Sequence, residues 1–118
     1  MNDPGYKEKM RLRQQKLRDE QPEVLWDYYI RSKYGINATQ YHAMYARQGG
    51  ACKVCQRYIK PALSGASRAD TAAIDHCHTT GKVRGLLCTQ CNTGLGLFKD
   101  NPVNLARAIG YLQENSNV

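Results

Sequence analysis

Long apolar runs are missing from this sequence. No stretch approaches the roughly 18–20 consecutive apolar residues that span a bilayer, so no membrane partner is expected. The opening Met-Asn-Asp-Pro-Gly leads straight into charged residues and offers no apolar core for a secretion signal. Large core formers are scarce as well: there is one Phe and one Trp. Eight tyrosines and five cysteines make up much of the 42% hydrophobic fraction. A chain of 118 residues with so modest a core needs a staple, and a metal would provide one. Acids are few, 10 against 17 Lys and Arg, for a formal net charge of +7. That balance favours a polyanionic partner, although many basic proteins bind nothing anionic. Five cysteines without a secretion signal fit a reducing, cytoplasmic compartment, where paired cysteines favour metal over disulfide.

The cysteines are arranged. Cys52-Lys-Val-Cys55 and Cys88-Thr-Gln-Cys91 are two C-x2-C pairs. Each places two thiols on one tight turn, and together they supply four soft ligands for a tetrahedral Zn²⁺. The alternative, four buried free thiols, leaves the repeated spacing unexplained. The 32 residues between the pairs exceed the common ribbon spacing of roughly 15–20, so a substructure is inserted there. Four thiolates around one Zn²⁺ would lower the net charge to about +5.

The inserted segment contains Asp75-His76-Cys77-His78, and Asn92 follows the last cysteine. A carboxylate and an amide oxygen are hard donors, suited to Mg²⁺ or Mn²⁺. A neutral imidazole beside them can take a proton from water near pH 7. On a strand, His76 and His78 share one face and Cys77 packs on the other. Lys82 and Arg84 on a returning strand could hold a phosphate. Two blander readings stay open: a satisfied strand-end cluster, or histidines replacing cysteines at the zinc.

Residues 6–18 hold six basic residues and one acid without Gly or Pro, and read as a solvated helix. It is either an arm for DNA or a dimer partner, or a basic tail. Pro22 suits the first turn of a second helix that Gly35 stops. Thr39 reads as the N-cap of a third helix, ended by Gly49-Gly50. His42 on it reads as a surface or packing histidine. Residues 72–78 and 83–88 read as a hairpin around Thr79-Thr80-Gly81-Lys82. A helix should follow from about Cys91-Asn92 to Phe98. A last helix, capped by Asp100 or Asn101, carries the stripe Leu105, Ala108, Ile109, Leu112. The division expected is an N-terminal helical region, 1–48, and a zinc-bound domain, 49–118.

In order, Cys52-x2-Cys55, Asp75-His76-x-His78, Gly81-Lys82-Val83-Arg84-Gly85-Leu86-Leu87-Cys88 and Cys91-Asn92 resemble the phage recombination endonuclease VII family. That family belongs to the His-Me finger, HNH-like nucleases. The resemblance covers roughly residues 34–112. It implies an α+β fold, mainly helical, with a small zinc-stapled ββα-metal nuclease core. It implies structural Zn²⁺ on Cys52, Cys55, Cys88 and Cys91, and catalytic Mg²⁺ or Mn²⁺ on Asp75 and Asn92. It further implies His76 as the general base and His78 as an assistant at the phosphate. The implied activity is hydrolysis of branched DNA such as four-way (Holliday) junctions, leaving 5′-phosphate and 3′-hydroxyl ends. Symmetric resolution takes two cuts, so a homodimer is expected, with residues 6–34 as its interface. A phage product acting in a bacterial cytoplasm fits. The alternatives are an HNH-type nickase of ordinary duplex, or a non-catalytic zinc module that binds nucleic acid. Two positions depart from the family's type member. Cys77 stands where it has Asp, and Leu95 stands where it has an acid one turn after the asparagine.

Overall fold

The structure is a computed structural model that describes residues 5–115. Helix α1 (Tyr6–Glu20) buries none of its residues and leans on α2 (Pro22–Tyr34). Pro22 sits in the first turn of α2, where a missing N–H costs nothing, and Gly35 ends the helix at φ 76°.

Helix α3 (Ala38–Arg47) is capped by Asn37, not by the expected Thr39. The Asn37 side chain accepts the Gln40 N–H at 2.8 Å, and the Gln40 side chain accepts the Asn37 N–H at 2.8 Å. This reciprocal pair satisfies two orphan donors, where Thr39 alone could satisfy one. Asp27 on α2 also accepts the Ala38 N–H at 2.7 Å, which ties α2 to the start of α3.

The core consists of Ile30, Tyr41, Cys52, Ile59, Ala72, Leu86, Leu87 and Cys88. It draws on residues from both sides of position 48. Tyr41 is its polar joint. The hydroxyl donates to the Ala72 carbonyl at 2.8 Å and accepts the Ala62 N–H at 3.1 Å. Burial pushes the Tyr41 pKa up, so the phenol stays a donor. Trp26 packs edge-on against this ring, 4.9 Å between centroids, and His42 leans on both rings from the surface.

Strands β1 (Ala73–His76) and β2 (Val83–Leu87) pair antiparallel, with Ala73 opposite Leu87 and Asp75 opposite Gly85. An irregularity between Asp75 and His76 shifts the register, so His76 faces Val83. The strand expected to reach His78 therefore stops at His76. Beyond it the chain turns: Cys77 N–H donates to Lys82 O at 2.8 Å, and Gly81 N–H to Cys77 O at 2.7 Å. Gly81 adopts φ 76°, which a side chain would resist.

Helix α4 (Thr89–Leu97) begins two residues before the expected start because Cys88 is itself the cap. Its Sγ accepts the Cys91 N–H at 3.4 Å. The helix packs on both strands, which completes a strand–strand–helix unit. Helix α5 (Pro102–Asn115) is capped by Asn101, which accepts from Val103 and Asn104 N–H at 2.9 and 3.1 Å. Its stripe is only partly covered: Leu105 and Ala108 are half-buried, Ile109 and Leu112 exposed. The chain is thus α+β and mainly helical, with one two-stranded sheet among the described residues. No helix among them is long and apolar enough to cross a membrane.

Candidate active site

The four paired cysteines converge. Their sulfurs all lie within 4.8 Å of one another, and Cys55 and Cys88 are 3.8 Å apart. A tetrahedron with Zn–S bonds of about 2.3 Å has an edge of about 3.8 Å, so the cluster has the size zinc requires. The first knuckle turns through Gln56 at φ 65°, and Cys52 N–H donates to Arg57 O at 2.8 Å. Burial works against the Cys52 thiolate, yet hydrogen bonds from Cys55, Cys88 and Val54 hold its pKa below the ordinary value. Burial and the neighbouring sulfurs push Cys91 up. Four sulfurs packed this closely are a set that a soft cation can complete.

The knuckle is joined to the sheet by a residue that no motif marks. The Gln48 amide nitrogen donates to the Ala51 and Leu86 carbonyls, both at 2.9 Å, and its oxygen accepts the Leu86 N–H at 2.9 Å. Gln48 stands where a third strand would, on the open edge of β2. Gly85 leaves it room, since a Cβ there would come within 3.3 Å of the Gln48 oxygen.

On the sheet, Asp75 is a buried carboxylate, 6% exposed, the only buried charged side chain among the described residues. Arg84 Nε donates to its Oδ2 at 2.8 Å and Nη2 to its Oδ1 at 2.9 Å. This two-pronged bond raises the Arg84 pKa still further. Arg84, expected as a phosphate ligand, thus spends its fork on Asp75. Lys82 is exposed on the turn.

His76 and His78 are brought together, ring centroids 4.9 Å apart, and Tyr34 packs edge-on to His76 at 5.5 Å. Asn92 is half-buried in the first turn of α4, the helix that packs on β1. Cys77 departs from expectation. It lines the same cleft as His78, with Arg84, Lys99 and Asp100, in a space of about 460 Å³. Strand alternation does not apply to it because the strand has already ended. Hydrogen bonds from the Thr80 side chain and the Thr80 and Thr79 backbone lower its thiol to about 7.

Asp100 also enters this cleft, a placement that sequence reasoning missed. Read as a possible helix cap, it loses that role to Asn101 and instead lies 2.9 Å from His78 Nδ1. Arg84 Nη2 is 3.3 Å from the same oxygen. The His78 hydrogen bond, with help from Arg84, holds the Asp100 carboxyl below its ordinary range. A second, larger cleft of about 760 Å³ is lined by Arg84, Arg47, Lys53 and Tyr58 among others, so three cations border it.

The recombination endonuclease VII family matches residues 27–114. The gene 59 protein of Mycobacterium phage D29 is 43% identical over 90 residues, covering 75% of this chain and 50% of that protein. The gene 59 protein of Mycobacterium phage L5 is 41% identical over 88 residues, covering 74% and 49%. The chain spans about half the length of these curated relatives. Among solved structures, the ββα-Me type II restriction endonuclease Hpy99I is 31% identical. That similarity covers 71% of this chain and 46% of Hpy99I, with a TM-score of 0.45.

Proposed function

Because this chain belongs to the recombination endonuclease VII family, we propose that it is a metal-dependent DNA endonuclease acting on branched DNA such as four-way junctions. One observation carries the reading. A buried carboxylate, Asp75, precedes His76 on a strand against which a cysteine-capped helix holds Asn92. An acid next to an imidazole at the end of a strand, with an amide in the first turn of the helix that packs on that strand, supports the reading over a merely structural cluster.

The donor set fits a hard divalent cation. Asp75 and Asn92 would hold Mg²⁺ or Mn²⁺, which would supply Lewis-acid stabilisation of charge on the phosphate oxygens. Asp75 already faces a cation, Arg84, whose side chain is 38% exposed against 8% for Asp75. With a divalent cation held there, the buried carboxylate would keep a counter-charge and Arg84 would be free to offer its fork to the phosphate. His76 takes a proton from the attacking water, and Tyr34 limits the motion of its ring. His78 assists at the phosphate. Hydrolysis leaves 5′-phosphate and 3′-hydroxyl ends. The four cysteines hold structural Zn²⁺, and Arg47, Lys53 and Arg84 give the DNA backbone a basic track. Two copies would make the paired cuts of a junction, with residues 1–48 as the arm that pairs them or grips DNA. The mycobacteriophage relatives support a site of action in the bacterial cytoplasm.

The test is cleavage of an immobile four-way junction and a matched linear duplex, with Mg²⁺ and with EDTA, by the wild type and His76→Ala. The reading expects paired cuts at the junction, lost with EDTA and in the variant. Equal nicking of both substrates would shift the assignment to an HNH-type nickase. Binding without any cut would leave a zinc module that binds nucleic acid. Full cleavage by His76→Ala would remove His76 as the base.

A further inference from the structure

The chemistry above makes no use of Asp100, yet Asp100 is built into the same cleft. A single oxygen, Oδ2, meets an imidazole from the turn after β1 and a guanidinium from β2, at 2.9 and 3.3 Å. The Asp100 side chain is 20% exposed, whereas His78 is 66% exposed. An imidazole that open has little else to fix its rotamer. The backbone that delivers the carboxylate is also uncommon. Lys99 and Asp100 adopt φ 55° and 54°, two successive left-handed residues without a glycine. Such conformations persist where the surroundings impose them, often at functional sites. Asp100 N–H donates to the Leu95 carbonyl at 2.9 Å, so this turn is fastened to α4, the helix that carries Asn92. Lys99 N–H to Gly96 O and Asp100 N–H to Leu95 O, both 2.9 Å, make the ordinary Schellman close of α4, which accounts for the left-handed Lys99 but not for the Asp100 side chain, since Asn101 caps α5.

We propose that Asp100 is a positioning residue of the nuclease: its carboxylate fixes the His78 ring through Nδ1 and retains Arg84 in the cleft when Asp75 takes a cation. The proposal rests on the nuclease reading. A carboxylate at Nδ1 requires a proton there, which leaves Nε2 as the ring atom free for the substrate. The groups around His78 are Asp100 and Arg84, with Lys99 and Cys77 lining the cleft and the His76 ring alongside. Without Asp100, the charges facing His78 are cationic.

Asp100→Asn and Asp100→Gly test this. Both residues accept a left-handed φ at least as readily as aspartate, so the turn should survive. Asparagine removes only the charge, and glycine removes the side chain. Two measurements are needed on the zinc-loaded full chain. One is ¹⁵N NMR of the His78 ring against pH without DNA, assigned with His78→Gln. The other is single-turnover cleavage of the junction with Mg²⁺. Both variants should still bind zinc and unfold cooperatively, with at most a small loss of stability from the missing ion pairs. In both, the His78 ring ¹⁵N signals should change, and in Asp100→Gly the Nδ1–H tautomer should lose its dominance. The cleavage rate should drop by roughly 10–100-fold with little change in junction affinity. Unchanged ring signals, or cleavage within twofold of wild type, would overturn the proposal. If the wild type itself never cuts, the nuclease reading fails and the positioning claim with it, while altered ring signals would preserve the Asp100–His78 coupling alone.

Discussion

Replacing Gln48 by alanine should cost about 2–4 kcal/mol of stability, although Gln48 touches no site residue that the sequence marks. The magnitude follows from three bonds, each 2.9 Å, that its amide makes to Ala51 and Leu86. Leu86 is fully buried, so its N–H loses its partner without gaining water. An orphaned buried donor costs about 1–3 kcal/mol. The two carbonyls suffer less. Leu86 O keeps a bond from Lys53 N–H at 3.3 Å, and Ala51 is only half-buried. Together they add about 1 kcal/mol. The assay is thermal or urea unfolding of the zinc-loaded protein at fixed free zinc, because metal binding is linked to folding. At roughly 4 °C per kcal/mol for a domain of this size, Tm should fall by about 8–16 °C. Gln48→Glu should be at least as damaging, since a carboxylate oxygen then faces two carbonyl oxygens. A Gln48→Ala protein within about 0.5 kcal/mol of wild type would refute the claim that this amide substitutes for a missing strand.

Three further outcomes are expected. Cys88→Ala removes a zinc ligand, a core residue and the α4 cap at once, so metal content and cooperative unfolding should both disappear; a cooperative melt without zinc would contradict the staple. Tyr41→Phe keeps the ring but strands Ala62 N–H and Ala72 O, for a loss of about 1–3 kcal/mol by urea unfolding; an unchanged midpoint would show that those groups find other partners. Asp100 has a folded pKa below its unfolded one, so its ion pairs contribute above the ordinary carboxylate range and are lost as pH falls through the lowered value. Stability measured against pH should therefore show an acid limb that is shallower in Asp100→Asn, and superimposable limbs would rule the contribution out.

Much of the candidate site was legible because its signals are local. A C-x2-C pair prescribes its own turn, and the two turns meet with sulfurs within 4.8 Å. Pro22 and Gly35 bound α2 through their own φ preferences, and Gly81 turns the hairpin for the same reason. Where local signals competed, reading order failed. Asn37 and Gln40 outbid Thr39 because a reciprocal cap satisfies two donors, and Cys88 began α4 early because a sulfur can cap.

Cys77 lies on the His78 side because an irregularity after Asp75 ended the strand, and backbone pairing set that irregularity. Gln48, Arg84 and Asp100 owe their roles to partners 38, 9 and 22 residues away. By itself, the sequence determined which ligand types this protein carries, and the turns and helix ends that present them, because backbone preference and donor chemistry belong to single residues and short spacings. Only the tertiary structure decided which charge answers Asp75, what fills the open edge of β2 and which carboxylate holds His78. Those choices depend on which buried groups the packed chain leaves without water, a property no short stretch of it possesses.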